Sequence, residues 1–394
     1  MAQAISGIRV PRVPAPGPDP CFSTILLKVH RDCNLNCSYC YVYNMADQSW
    51  RLKPKIMSAE IIEATASRIQ EHVDRHQIAK LDIIFHGGEP LLGGIDYLLR
   101  IRDAVRARLG PKVTPSFGMQ TNGTLLSESV LDVLHREQIG FGISLDGPPA
   151  VNDRFRIYHN GHGSHSVVMD ALARISAHPA RKMFSGFLAV IHVDDSPEQL
   201  IGSFVSLGAE RLDLLLPHGT WDHLPPGMPS PSSGKYGRWL IRAFDYWFDR
   251  CPSLRLRYFA DILKLFFGGR DVVESLGLLD KSIIVIETDG AIEGLDSLRS
   301  VREGATNLGL NVVSNSLDEA LKNKLVVSRF EGMSSLAPKC QECRYARICG
   351  GGYIPHRYSE SAGYRNPSVY CEDLFMLCNH VEERLRKEIP HYAS

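Results

Sequence analysis

Three cysteines fall within eight residues, Cys33, Cys37 and Cys40 of CNLNCSYCYVYN, and this spacing constrains the chain more than any other feature. A structural zinc site closes itself with four ligands, whereas a cubane iron–sulfur cluster can be held by three thiolates with one iron left open. An open iron is a binding place for a small molecule. The competing reading closes the metal as zinc, with His30 or His86 as fourth ligand on an unrelated α/β fold. Disulfides do not suit this pattern, because the chain is long and begins with no cationic segment and apolar stretch of the kind that directs export.

Lys+Arg and Asp+Glu are equal at 44 each, without a long basic run, which argues against nucleic acid as a partner. No apolar run reaches bilayer-spanning length, so a cytoplasmic protein without a membrane partner is expected. Residues 1–21, with the proline-rich VPRVPAPGPDP, read as an extended or disordered leader. Beyond it, strand-like runs at 23–29, 81–86, 115–120, 140–146, 184–193 and 211–216 alternate with helical patterns at 58–76, 95–109, 127–138, 165–177 and 197–207. This is the pattern of parallel strands with helical crossovers. Six strands are too few for a closed eight-stranded barrel, so the expected fold is α/β, a partial (β/α)6 barrel over residues 22–232. The Pro/Gly/Ser-rich LPPGMPSPSSG marks its end, and 233–394 form a second region of bridging helices and a further cysteine group.

Active sites of parallel sheets lie beyond the carboxyl ends of the strands. The motifs fall there: the cysteines after the first strand, GGEP (87–90) after the second, TNG (121–123) after the third and SLDG (144–147) at the end of the fourth. If the cysteines hold a four-iron cluster, the open iron suits the amino and carboxylate groups of S-adenosylmethionine, whose sulfonium is cleaved by one electron to give a carbon radical. Gly87 and Gly88 permit close backbone approach to its amino group, and Glu89 accepts hydrogen bonds from it. Asn122, Ser144 and Asp146 are placed for the ribose or the carboxylate, Arg156 for the carboxylate and Tyr39 for the adenine.

These motifs in this order resemble the radical SAM superfamily over roughly residues 22–216. The later group, Cys340, Cys343, Cys349 and Cys371, resembles the SPASM extension of peptide-modifying radical SAM enzymes. It departs from the fuller pattern: Gly290 leads to Leu295 where a cysteine would stand, and Tyr353 takes the place of another. The resemblance therefore implies two [4Fe-4S] clusters, one open and one auxiliary with four thiolates. Zinc on the same four cysteines is the alternative. Cys378 is an alternative to Cys371, and Cys21 and Cys251 read as buried thiols.

YVYNMADQSWR, LLLPHGTWDH, IETDGAIEGLDSLR and CGGGYIPHRY extend the resemblance to FxsB-type maturases, including those that form three-residue cyclophanes. That implies a precursor peptide as substrate, a carbon–carbon bond between an aromatic ring and a nearby β-carbon, and an external one-electron reductant of flavodoxin or ferredoxin type. No extra domain for a leader peptide is evident. Aldehyde or thioether formation is the alternative within the superfamily, and a non-catalytic metal scaffold the alternative outside it. Cross-linking needs a base. Asp213, a charged residue inside RLDLLL, is the first candidate, followed by His218, Asp222, His223, Glu287 and Asp289.

Overall fold

The computed structural model describes residues 20–269, 274–278 and 282–389, so residues 1–19 of the expected leader lie outside it. Apolar side chains at every second position set the strands. In β1 (Thr24–His30) Ile25, Leu27 and Val29 are fully buried, and β2 (Asp82–Gly87) buries Ile83 and Phe85 in the same way. Next come β3 (Ser116–Thr121), β4 (Gly140–Ser144), β5 (Phe184–Val190) and β6 (Arg211–Leu215). Helices Ala59–His76, Ile95–Leu109, Glu128–Arg136, His165–Ala177 and Pro197–Ser206 lie between them, giving the strand–helix alternation of the partial barrel. Ser58, Ser127 and Ser196 start three of these helices by accepting a backbone N–H of the first turn.

The chain packs as two units. The first lies within Asp19–Leu188 and Ser282–Val327. Its strands β1 to β5 are parallel and lie side by side in chain order. β8 (Ile283–Ile286) pairs in parallel with β1, and the short β9 (Ala291–Glu293) and β10 (Asn307–Asn311) continue antiparallel from it. The second unit lies within Ala189–Lys281 and Ser328–Ser394. It holds β6, which pairs in parallel with β7 (Arg255–Leu256), and the helices Lys235–Arg250 and Cys371–Glu388.

This division differs from the boundary expected near residue 232. Ser282–Val327 returns to the first unit because β8, apolar throughout, needs neighbours on its edge and finds β1, about 260 residues earlier in the chain. Among the described residues, no helix is long and apolar enough to cross a membrane.

Candidate active site and second cysteine centre

The first cysteine loop leaves β1 at a register shift between Lys28 and His30. The GG turn after β2 grips its start: Gly88 N donates to His30 O at 2.8 Å and Glu89 N to Asp32 O at 3.0 Å. A Cβ on Gly88 would lie 2.0 Å from the Tyr43 hydroxyl and 2.2 Å from Asp32 O, so only glycine fits. Inside the loop, Cys40 N donates to Cys37 O and Asn44 N to Cys40 O. Two backbone bonds tie the loop to the segment beyond β4, Asn36 N to Ile157 O at 2.7 Å and Ser38 N to Phe155 O at 3.0 Å.

The residues expected around S-adenosylmethionine converge here, and protein partners already engage their polar atoms. Tyr39 donates to Asp146 Oδ2 at 2.6 Å and accepts from Arg156 Nη1 at 2.8 Å, which joins the cysteine loop to the end of β4. Asn122 Nδ2 donates to Asn34 Oδ1 at 2.8 Å and reaches Cys33 Sγ at 3.7 Å. Ser144 Oγ accepts from Gln120. Glu89 is fully buried, and its carboxylate receives Thr121 Oγ1, Asn122 N and Leu91 N at 2.8–3.1 Å. In this structure it stitches the ends of β2 and β3 together, so the glycine turn is what it presents to a ligand. Gly87 and Gly88 retain the expected place at the mouth of the parallel strands.

Burial pushes the Cys33 thiol up to about 12 and Cys40 to about 11. Such thiols become thiolates when a metal centre replaces the proton. Cys21 does not supply a fourth ligand. It precedes β1 while Cys33 follows it, and a seven-residue strand separates its ends by roughly 20 Å. His30 Nδ1 is engaged by Asp32 N at 3.1 Å.

In the second unit, Cys340, Cys349 and Cys371 each have others of the four thiols of this group among their electrostatic neighbours. Cys371 opens the helix Cys371–Glu388, and Cys378 is buried two turns further on. The turn after Cys349 runs through Gly350, Gly351 and Gly352, all at positive φ. A Cβ on Gly350 would sit 1.6 Å from Gly277 O. Arg357 donates to Gly350 O and Gly352 O at 2.5–2.6 Å, and the groups that bear on its charge are Cys349 and Cys340. Tyr353, at the place of a cysteine in the fuller pattern, donates to Glu274 at 2.9 Å.

Sulfur spacing tests the metal. In a tetrahedral zinc–thiolate site the sulfurs stand about 3.8 Å apart. Among the described residues, no three sulfurs of either group come within 4.8 Å of one another. A cubane cluster would take three thiolates from the first group and four from the second.

The expected bases are all placed, and the carboxylates among them are committed. Asp213 Oδ2 accepts from Arg257 Nε at 2.9 Å; burial still lifts its carboxyl above the ordinary value despite that charge. Asp222 receives Glu360 N at 2.9 Å and pins a turn. Asp289 binds Lys53 Nζ at 3.0 Å and Ala291 N at 3.0 Å. His218 stacks among Tyr353 and His356, with ring centroids 6.0 Å from each, and His223 shares a turn with Thr220. Asp213, His218, Asp222 and His223 belong to the second unit, Glu287 and Asp289 to the first.

Sequence reading missed the ion network to which Glu287 belongs. Arg299, fully buried, binds Asp296 Oδ1 at 3.0 Å, Asp47 Oδ2 at 3.2 Å, Glu287 Oε1 at 2.8 Å and also Glu293. Asp296 Oδ2 further accepts from Lys28 and from Tyr41, each at 2.8 Å. Burial would raise Asp296, but Lys28 and Arg299 outweigh it and hold the carboxyl well below its usual range. Lys28 was a visible signal, a charge inside the apolar run TILLKVH. Its partner 268 residues away was not.

A cysteine loop and a glycine cradle lie at the carboxyl ends of parallel strands. Residues 27–202 match the family model of the Radical SAM superfamily. The chain is similar to a cysteine-type anaerobic sulfatase-maturating enzyme of Clostridium perfringens, with 23% identity over 370 residues covering 90% of this chain and 94% of the relative. A serine-type anaerobic sulfatase-maturating enzyme of Klebsiella aerogenes is 24% identical over 361 residues, covering 88% and 82%. Among solved structures, native anSMEcpe with bound AdoMet superposes with a TM-score of 0.78 at 21% identity, covering 93% of this chain and 99% of that one. SuiB of Streptococcus suis bound to precursor peptide SuiA gives a TM-score of 0.58 at 15% identity, covering 90% and 76%.

Proposed function

We propose that this protein is a radical SAM maturase of a ribosomally made precursor peptide, and that it joins an aromatic ring carbon to a nearby β-carbon in a cyclophane. The observation that carries this reading is a three-cysteine loop beyond β1 together with one further set of four cysteines rather than the fuller pattern. Where a further cluster's ligands would stand, Leu295 is buried beside the Arg299 ion network. An external flavodoxin- or ferredoxin-type protein supplies electrons, and the expected compartment is the cytoplasm.

In this reading Cys33, Cys37 and Cys40 hold the open cluster, and Cys340, Cys343, Cys349 and Cys371 the auxiliary one. S-adenosylmethionine, when bound, supplies a primary carbon radical able to take a hydrogen atom from an unactivated C–H bond. The chain's part is to orient. Gly87 and Gly88 bring backbone close to the cofactor's amino group, while Asn122, Ser144, Asp146 and Arg156, with Tyr39, line its place. Fixing the reacting carbon against the cofactor converts a bimolecular encounter into an oriented one. The buried surroundings keep water from the radical.

A second reading, oxidation of a Ser or Cys side chain to an aldehyde, is favoured by the names of the relatives, which are cysteine-type and serine-type sulfatase-maturating enzymes. Co-expression with the short peptide encoded beside the gene separates the two. A cross-link lowers the mass by two hydrogens and suppresses backbone fragments between the joined residues. An aldehyde formed from Ser gives the same mass loss but normal fragmentation and a hydrazide adduct; that outcome would replace the first reading with the second.

A further inference from the structure

One face of the first unit's sheet is apolar and closed, with Leu27, Phe85 and Phe141 fully buried. The opposite face carries a different row. Lys28 of β1 pairs in register with His86 of β2, and the row continues to Gln120 of β3, Gly142 of β4 and Gly186 of β5. Gly142 and Gly186 carry no side chain in this row, and Gln120 Oε1 lies 2.5 Å from where a Cβ on Gly142 would stand. His86 immediately precedes the Gly87–Gly88 cradle.

His86 is the uncommitted base of that row. Its Nδ1 is buried and meets no partner at full hydrogen-bond geometry, although the Gly87 backbone lies close enough to favour a proton on the ring. Every carboxylate considered as a base is occupied: Asp213 by Arg257, Asp222 by Glu360 N, Glu287 by Arg299, Asp289 by Lys53, and Asp296 by Lys28, Tyr41 and Arg299. A buried unpartnered polar atom costs free energy unless a ligand satisfies it. The connected ion network beside His86 has five carboxylates (Asp47, Glu287, Asp289, Glu293 and Asp296) against three cations (Lys28, Lys53 and Arg299). Of its charges, Lys28 bears on His86 more strongly and opposes a proton on the ring, while Asp296 favours one.

We propose that His86 is the base that takes the ring proton in the closing step of the cross-link, an inference that rests on the cross-linking reading above. The β-C–H bond breaks homolytically and its hydrogen atom goes to the cofactor-derived radical. The β-carbon radical forms the new bond to the ring carbon. The ring then gives one electron to an oxidised iron–sulfur cluster, its C–H electron pair restores aromaticity, and the proton goes to His86. Burial lowers His86 to about 4, which keeps the ring neutral at ordinary pH. The proton of such an oxidised ring is acidic enough for a weak base to accept.

The test uses the full-length reconstituted enzyme, the adjacent precursor peptide, and a version of that peptide deuterated on the aromatic ring. His86→Gln and His86→Phe should retain iron and release 5′-deoxyadenosine within about twofold of the parent, while cross-linked product falls by about 100-fold. A ring-deuterium isotope effect, absent in the parent, should appear in the variants. His86→Gly with added imidazole should recover product, which also serves if the larger substitutions lose iron. Parental product yield in both variants, or 5′-deoxyadenosine release that falls in step with product and is not rescued by imidazole, would overturn the assignment. An aldehyde from the parent enzyme would instead overturn the cross-linking reading, an outcome visible before any variant is made.

Discussion

The two cysteine centres are shaped in different ways. Cys33, Cys37 and Cys40 lie on a loop whose form is imposed from distant parts of the sequence: Gly88 from β2, Asn122 from β3, and Asp146, Phe155, Arg156 and Ile157 from beyond β4. Cys340, Cys343 and Cys349 lie on a segment shaped largely by its own neighbours, the Gly350–Gly352 turn and Arg357, with Cys371 brought by the start of a helix. An open site must place several non-cysteine groups around a ligand, and strand ends do that. A closed site needs only four sulfurs, and local turns suffice.

Removing the ligands is the largest way to break this comparison. Cys33, Cys37 and Cys40 changed together to Ala should remove about half the bound iron, because one of two cubane clusters goes. All reductive cleavage of S-adenosylmethionine should go with it. Cys340→Ala with Cys343→Ala should remove the other half yet leave cofactor cleavage in place, measured as 5′-deoxyadenosine. Cleavage that survives the triple change would end the assignment of the open site. Stoichiometric zinc in the second centre would end that of the auxiliary cluster.

Two arginines come next, the buried Arg299 and the half-buried Arg357, because each serves one centre's unit differently. Arg299 has four carboxylate partners, and Arg299→Leu leaves them uncompensated in a buried place, a loss of about 3–5 kcal/mol by denaturant unfolding. Arg357 neighbours cysteines and carbonyls, so Arg357→Gln should cost less, about 1–2 kcal/mol. Its larger effect should be electrochemical. Loss of a positive charge beside an anionic cluster disfavours reduction, so the auxiliary centre's potential should fall in an EPR-monitored titration while that of the open cluster stays put. Equal unfolding losses for the two changes, or an unmoved auxiliary potential, would erase the distinction.

Reading the sequence located what is local and missed what is paired at long range. The strand runs from STILLKV to RLDLLL fall close to β1–β6 because their apolar alternation is a property of a few adjacent residues. The seven cysteines were named as metal-ligand candidates from local spacing and, for Cys371, from the resemblance, and their place in clusters is part of the proposal. The pairing of β8 with β1 could not be read from the sequence, which is why the region boundary fell elsewhere. The bases show the same limit. A carboxylate at a strand end can be named from sequence, but whether it is free depends on a partner such as Arg257, 44 residues from Asp213, or Arg299, 252 residues from Asp47. His86 was considered only as a zinc ligand, and its unpartnered nitrogen emerges only when its neighbours are in place.

Tyr39 gives the smallest and sharpest probe, since it lies between two cysteines of the open centre yet reaches across to Asp146 and Arg156. Tyr39→Phe keeps the ring and removes the hydroxyl that separates a carboxylate from a guanidinium. Two hydrogen bonds are lost, but the opposite charges left behind can move towards each other, so the net cost should stay near 1 kcal/mol. Iron content should be unchanged, because no ligand is touched. The concentration of S-adenosylmethionine needed for half-maximal cleavage should rise less than about tenfold, since tenfold corresponds to about 1.4 kcal/mol. A loss of iron in this variant would mean that the hydroxyl holds the loop's shape, and that the open centre depends on its distant partners even for its metal. Unchanged cofactor affinity would instead place Asp146 and Arg156 outside the cofactor's reach, and leave the glycine turn and Asn122 to do the binding.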